Sequence, residues 1–211
     1  MNHLANNTLK GLNAIRSCNT GAIPAAALPI QLTLDALFLT PDSVVVELGE
    51  EAGRFTLPVA RYFEKKAGSG KVYACDFSDE SVERLQQKAK DAHLEKYIRT
   101  LRLGRMRPHA TRMPDDSIDA ILAINPIEYQ ASPEPYLEEC LRILRPGGGM
   151  FLAHRSDART LARRAAKPFK MPVDTVFSTL KQSGAEICTT IAVSGYHWAV
   201  LVVKPLIHVP L

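Results

Sequence analysis

Two kinds of apolar pattern alternate along this chain. Short β-branched runs predict buried strands, and longer stretches with apolar residues at helical spacing predict amphipathic helices. Gln31 to Leu39 has the helical spacing and is stopped by Thr40-Pro41-Asp42. Ser43 to Leu48 predicts a first strand. Gly53 to Lys66 puts Phe55, Val59, Tyr62 and Phe63 on one helical face, and Gly68-Ser69-Gly70 breaks it. Lys71 to Cys75 predicts a second strand, and Ser78 to Ala92 a helix capped by Ser78 with an inner stripe of Val82, Leu85 and Ala89. Tyr97 to Leu103 alternates as a third strand, and Ile118 to Ile124 is a fourth, apolar except for Asp119. Pro133 to Leu144 predicts a helix ended by Arg145-Pro146-Gly147-Gly148-Gly149, with a fifth strand over Met150 to Ala153. Helical segments follow around Ala158 to Ala166 and Val173 to Gln182. Glu186 to Val193 and Trp198 to Lys204 are two more strands, joined by Ser194-Gly195.

Strands alternating with helices imply βαβ units with parallel pairing. The turn at Ser194-Gly195 is too short for a crossover, so the final pair must be antiparallel. The expected fold is therefore α/β: a doubly wound, mostly parallel seven-stranded sheet, helices on both faces, and a C-terminal antiparallel hairpin. At 211 residues the chain suits one core. Residues 31–211 read as that single domain. Residues 1–30 read as a leader, polar and then small and apolar around Ala22 to Ala27, and three roles stay open for it: a lid over the site, a contact in a homodimer, or a disordered tail.

Composition narrows the class. The chain is 46% hydrophobic and 23% charged, as in ordinary soluble domains. Its longest apolar run, near Ala199 to Val203, is far too short to span a bilayer. Asn2, Asn6, Asn7, Asn13 and Asn19 interrupt any secretory signal core, so a cytoplasmic protein is expected. Cys18, Cys75, Cys140 and Cys188 show no CxxC spacing and read as small residues in a reducing compartment. His109, His154 and His197 are scattered, so no metal site is expected. The net charge is +4, with one basic group at Arg99, Arg102, Arg105, Arg107 and Arg112 and a second at Arg155, Arg159, Arg163, Arg164, Lys167 and Lys170. Either these are solvated faces or they meet an anionic substrate. No aromatic residues interleave the first group, which argues against nucleic acid.

In doubly wound sheets ligands bind beyond the carboxyl ends of the strands, where the strand order reverses. After the first strand comes Glu47-Leu48-Gly49-Glu50-Glu51-Ala52-Gly53, where Gly49 permits a tight turn and Gly53 a close helix start. After the second comes Asp76-Phe77-Ser78, and a carboxylate there can accept both hydroxyls of a ribose. The Gly53 to Asp76 spacing suits a glycine turn followed by a ribose acid.

Four segments carry a family resemblance. Val44-Val45-Val46-Glu47-Leu48-Gly49, Val72-Tyr73-Ala74-Cys75-Asp76, Met113 to Ile121 and Leu141 to Gly149 occur in order over about half the chain. Together they resemble the class I S-adenosylmethionine-dependent methyltransferases. The resemblance implies a last strand inserted antiparallel beside the fifth. It implies S-adenosylmethionine as cofactor, with Glu47, Gly49, Glu51, Gly53, Asp76, Phe77 and Asn125 around it: Gly49 and Gly53 by the methionine part, Asp76 on the ribose, Phe77 on the adenine and Asn125 facing the methyl. It implies transfer to a small-molecule acceptor, anionic if the basic segment after the fifth strand lines the pocket.

Two positions depart from the family pattern. Glu51, beside Glu50, stands where a small residue is usual; it either attracts the methionine ammonium or caps the following helix. After the third strand Arg105, a donor only, replaces an acid that would accept from adenine. These departures motivate an alternative, a catalytically inactive methyltransferase-like domain acting as a binding or scaffold protein. Asn125-Pro126-Ile127-Glu128-Tyr129 partly resembles a nitrogen-methylation motif but equally describes a strand end followed by a loop. The catalytic candidates are Asn125 and His154; the latter, ending the fifth strand, is a general base or a loop polar group. A nicotinamide enzyme fits poorly, because Gly49 and Gly53 do not form G-x-G-x-x-G.

Overall fold

The computed structural model describes residues 30, 33–34, 37, 39–49, 53–104, 109–124, 133–155, 173–194 and 197–206. Its elements run β1 (Val44–Gly49), α1 (Thr56–Lys65), β2 (Lys71–Asp76), α2 (Asp79–Asp91), β3 (Ile98–Arg102), β4 (Ile118–Ile124), α3 (Glu134–Ile143), β5 (Leu144–Arg155), α4 (Val173–Gln182), β6 (Glu186–Ser194) and β7 (His197–Val203). The seven strands form one sheet in the order β3-β2-β1-β4-β5-β7-β6. Pairing is parallel from β3 across to β5, and β7 lies antiparallel to both β5 and β6. This is the α/β, doubly wound, mostly parallel seven-stranded sheet with a C-terminal antiparallel hairpin that the sequence predicts.

The central strands are buried on both faces, which explains their unbroken apolar runs. Alternate residues feed opposite cores. Val46, Leu48, Cys75 and Ile121 point to one face and meet Tyr136, Leu137 and Cys140 of α3 and Val176 and Leu180 of α4. Val45, Val72, Ala120 and Leu122 point to the other and meet Val59 and Phe63 of α1 and Ala89 of α2. Ser78 caps α2 as predicted, its Oγ accepting from the Ser81 amide at 3.4 Å.

The polar exception in β4 has a structural use. Asp119 Oδ2 accepts from the Val44 amide at 2.7 Å, and Oδ1 from Arg145 Nε at 2.5 Å. One carboxylate thus ties the starts of β1 and β5 to β4, at the edge of the sheet away from the strand ends where ligands bind.

Two boundaries differ from the sequence expectation. The Arg145 to Gly149 stretch, expected only to end a helix, is the first part of β5. It survives as strand because the Gly147 amide donates to the Lys204 carbonyl at 2.7 Å and the Lys204 amide donates to the Gly148 carbonyl at 3.1 Å. The pairing jumps from Ile118↔Leu144 to Ala120↔Gly149, a bulge that Gly147 accommodates at φ +76. The first helix starts at Thr56 rather than Gly53, because Gly53 to Phe55 form a turn. Of the helix expected over Gln31 to Leu39, Ile30, Thr33 and Leu34 are helical and Leu37 is in a turn. The leader before residue 30, the segment around Ala158 to Ala166, and Gly195 lie outside the described residues. Among the described residues no helix is long and apolar enough to cross a membrane.

Replacing Asp119 should separate two effects. Asp119→Ala leaves the Val44 amide without its acceptor and should cost about 1–3 kcal/mol in denaturant unfolding. Arg145→Ala removes only a partly exposed ion pair and should cost under about 1 kcal/mol.

Candidate functional site

Strands β1 and β2 pair in register Val44↔Lys71 through Leu48↔Cys75, so Gly49 and Asp76 emerge side by side at the same edge. Gly49 is also paired to Ile124, the end of β4. The strand order reverses between β1 and β4, so these ends meet at the switch point of the sheet.

Gly49 is required there. Its φ is +142, and a Cβ on it would lie 2.0 Å from the Ile124 carbonyl oxygen. Any side chain would drive β1 from β4 just where the chain must turn. Beyond it, Glu47, Leu48, Gly49, Arg54, Phe55 and Ile124 line a narrow recess.

The Glu47 carboxylate is buried and turned onto the following turn. Oε2 accepts from the amides of Gly53 at 3.2 Å and Thr56 at 2.8 Å and from the Thr56 hydroxyl, and Oε1 accepts from the Phe55 amide at 3.2 Å. These amides belong to the N-terminus of α1, where Phe55 supplies no cap and the first turn holds no acid. Burial pushes the Glu47 carboxyl above its usual range, and the Thr56 hydroxyl and the three amides pull it back only in part. Glu47 therefore holds the turn that leads into α1.

Asp76 is 4% exposed. Its Oδ1 accepts from the Ser78 amide at 2.8 Å. Its Oδ2 is buried and has no hydrogen-bond partner among the described residues. A buried carboxylate oxygen without a donor is costly unless a ligand or water supplies one. Ribose hydroxyls are such donors, so the residues present fit a nucleoside at this edge. Phe77 is partly buried against the same core.

The connection from β3 to β4 is pinned at two points. The Leu103 amide donates to the Asp76 carbonyl at 2.9 Å. Further on, the fully buried Glu139 of α3 accepts from the His109 amide at 2.7 Å, the Thr111 amide at 3.0 Å and the Thr111 hydroxyl at 2.5 Å. Arg142 completes the cluster, its Nε and Nη2 reaching Glu139 at 2.8 and 2.9 Å and Nη2 the Met113 carbonyl at 2.9 Å. Burial alone would raise the Glu139 carboxyl, but Arg142, Thr111 and His109 outweigh it and hold it at about 2. Sequence reading missed Glu139; the Glu139/Arg142 spacing on one helix face was its available signal.

Cys75 and Cys140 are buried, and burial drives both thiols well above their ordinary range, so neither serves as a nucleophile. Among the described residues no three His, Cys, Asp or Glu side chains gather to hold a metal ion. Glu50, Glu51, Arg105 and the Asn125 to Tyr129 stretch lie outside the described residues, as do Arg159 to Lys170. The backbone of His154 is in β5 opposite Trp198 of β7, at the binding edge.

A family model described as "Methyltransferase domain" matches residues 46–152. Solved structures of the same fold include a SAM-dependent methyltransferase from Aquifex aeolicus, 19% identical, with a TM-score of 0.66 over 90% of this chain and 97% of that one. The [4+2]-cyclase SpnF is 15% identical, with a TM-score of 0.70 over 96% of each chain. Geranyl diphosphate C-methyltransferase from Streptomyces coelicolor A3(2), in complex with Mg2+, geranyl-S-thiolodiphosphate and S-adenosyl-L-homocysteine, is 12% identical, with a TM-score of 0.67 over 83% of this chain and 74% of that one.

Gly49→Ala should destabilise the protein by more than about 3 kcal/mol in denaturant unfolding, whereas Gly104→Ala, with nothing within 4 Å, should change it by under about 0.5 kcal/mol. The depressed Glu139 carboxyl also sets an acid limit. Its contribution is fully present above the unfolded-state value of about 4.5 and is lost as pH falls toward about 2. Thermal melts from pH 5 to 2 should therefore fall less steeply for Glu139→Gln than for the wild type.

Proposed function

The chain belongs to the methyltransferase domain family, and from that premise we propose that it transfers a methyl group to a small-molecule acceptor. The cofactor is S-adenosylmethionine, which supplies when bound a methyl already activated on a sulfonium sulfur. The observation that carries the reading is the buried Oδ2 of Asp76, without a donor among the described residues, beside Gly49 at the switch point. In this reading Asp76 accepts from the ribose hydroxyls and Phe77 packs on the adenine. Gly49 and Gly53 border the methionine part, on a turn whose path Glu47 sets, and Glu51 meets its ammonium.

The catalytic demand on the protein is modest. Holding the acceptor atom in line at about 3 Å supplies most of the rate. Asn125, directly after β4, faces that position in this reading. His154, at the same edge, takes a proton where the acceptor must lose one. The basic residues after β5 then favour an anionic acceptor, with residues 1–30 covering the site or joining two copies of the chain.

A second reading is binding without turnover. It is favoured by Glu51, which puts bulk and charge where the family usually has a small residue.

Calorimetric titration with S-adenosylmethionine and S-adenosylhomocysteine tests the proposal. Micromolar to submillimolar binding is expected, weakened by about 100-fold or more in Asp76→Ala, as for loss of hydrogen bonds to a charged acceptor. No heat at millimolar ligand would overturn the methyltransferase reading. Glu51→Gly separates the two readings: weaker binding makes the glutamate a ligand, and tighter binding makes it the obstruction that the second reading requires.

A further inference from the structure

A cleft of about 270 Å³ opens at the rim of the sheet opposite Gly49 and Asp76. It lies between the loop before β4, the end of α3, the turn after α4 and the end of β7, which runs antiparallel to β5. Four charged side chains line it: Asp115, Asp116, Arg142 and Lys204. Backbone bonds set its shape. The Asp116 amide donates to the Arg142 carbonyl at 3.0 Å, the Ser117 amide to the Ile143 carbonyl at 2.9 Å, and the Gly184 amide to the Lys181 carbonyl at 3.0 Å. A Cβ on Gly184 would meet nothing within 4 Å, so that wall faces open space.

The charges are sorted by depth. The cations are recessed, with the Arg142 and Lys204 side chains 15% and 18% exposed. Their carboxylate partners stand at the lip, Asp115 being 69% and Asp116 53% exposed. Neither cation is saturated. Lys204 Nζ donates to Asp116 Oδ1 at 2.5 Å and to the Leu141 carbonyl at 2.7 Å, and its remaining hydrogen meets no acceptor among the described residues. Arg142 uses Nε and Nη2 on Glu139 and the Met113 carbonyl and one Nη1 hydrogen on Asp115, which leaves the other Nη1 hydrogen in the same position. Recessed donors without acceptors favour a ligand that brings an oxyanion. The carboxylates at the lip oppose a simple anion, and the cations beneath oppose a simple cation. A molecule carrying both charges suits both layers, with its positive end also near the end of α4, where positive charge is favoured.

We propose that this cleft binds a small zwitterion, an α-amino acid with a compact apolar side chain. Its carboxylate lies between Arg142 and Lys204, its ammonium on Asp115 and Asp116, and its side chain against Leu141, Ala185 and Pro205, which also line the cleft. The space is on the order of nine water volumes, enough for an amino acid of the size of leucine. The site lies at the other end of the strands from the one given to the cofactor, and it does not depend on the methyl-transfer reading.

Proton–nitrogen correlation spectra of the full chain, recorded without cofactor, test this with L-leucine, 3-methylbutylamine and 4-methylpentanoate. The last two keep the leucine side chain but carry only its ammonium or only its carboxylate. Leucine should shift the Asp116, Gly184 and Lys204 amides and bind about tenfold or more tightly than either single-charge compound. Lys204→Met removes the recessed ammonium and should weaken leucine by about tenfold or more. Ser183→Trp obstructs the cleft from an exposed position without touching either ion pair, so it serves if Lys204→Met does not fold, and it should weaken leucine as much. No shift at about 10 mM leucine, equal affinity for the three compounds, or unchanged leucine affinity in the variants overturns the proposal. Shifts at Gly49, Gly53 and Ile124 instead would put leucine at the cofactor rim and overturn it too, while the methyltransferase reading stands.

Discussion

One buried carboxylate organises the route from strand to helix. Helix α1 begins without a capping side chain of its own, and its first amides would be left without acceptors inside the fold. Glu47 supplies them from the neighbouring strand, accepting from Gly53, Phe55 and Thr56 together. A residue of β1 thereby caps the helix that follows it. Those bonds hold the turn from Gly53 to Phe55 against β1, beside the recess at the switch point. Desolvation works against this carboxylate, so the arrangement depends on all of its donors being present.

The two ends of the sheet are finished differently. At the end where β4 starts, polar groups pair within the protein: Asp119 with Val44 and Arg145, and Lys204 with Asp116 and the Leu141 carbonyl. At the opposite end Asp76 keeps an oxygen buried and without a donor among the described residues. Among the described residues, polar atoms are thus paired at one rim, while an acceptor is left open at the other, where the proposed function places its ligand. A fold does not by itself fix a chemistry, so the reaction must be argued from the residues around this rim.

Much of this was legible in the sequence because the signals were local. The β-branched run of β1, the glycine after it and the acid after β2 lie within a few residues of their structural roles, and the parallel register then places Gly49 beside Asp76 automatically. The short hairpin connection forced the final pair to be antiparallel. What escaped were interactions between distant residues. The direction of the Glu47 oxygens was one, since nothing in its neighbourhood shows that they turn toward amides six to nine positions on. Glu139 went unnoticed, because its partners His109 and Thr111 come from 28 to 30 positions earlier. The Pro146-Gly147-Gly148 stretch looked like a helix stop alone, and only the Lys204 backbone, brought alongside by β7, makes it strand.

The position of β7 constrains how the sheet can be assembled. In the chain it follows β6, yet in space it lies between β5 and β6, so β6 has no neighbour in the sheet until β7 is in place. During synthesis the five parallel strands can pair as they emerge, but β5 then presents an open edge of backbone donors and acceptors while α4 and β6 are being made. The hairpin must enter as a unit with β7 leading. Until it does, the growing protein carries an unprotected strand edge, and that interval is when a chaperone or a second nascent chain would have most to bind.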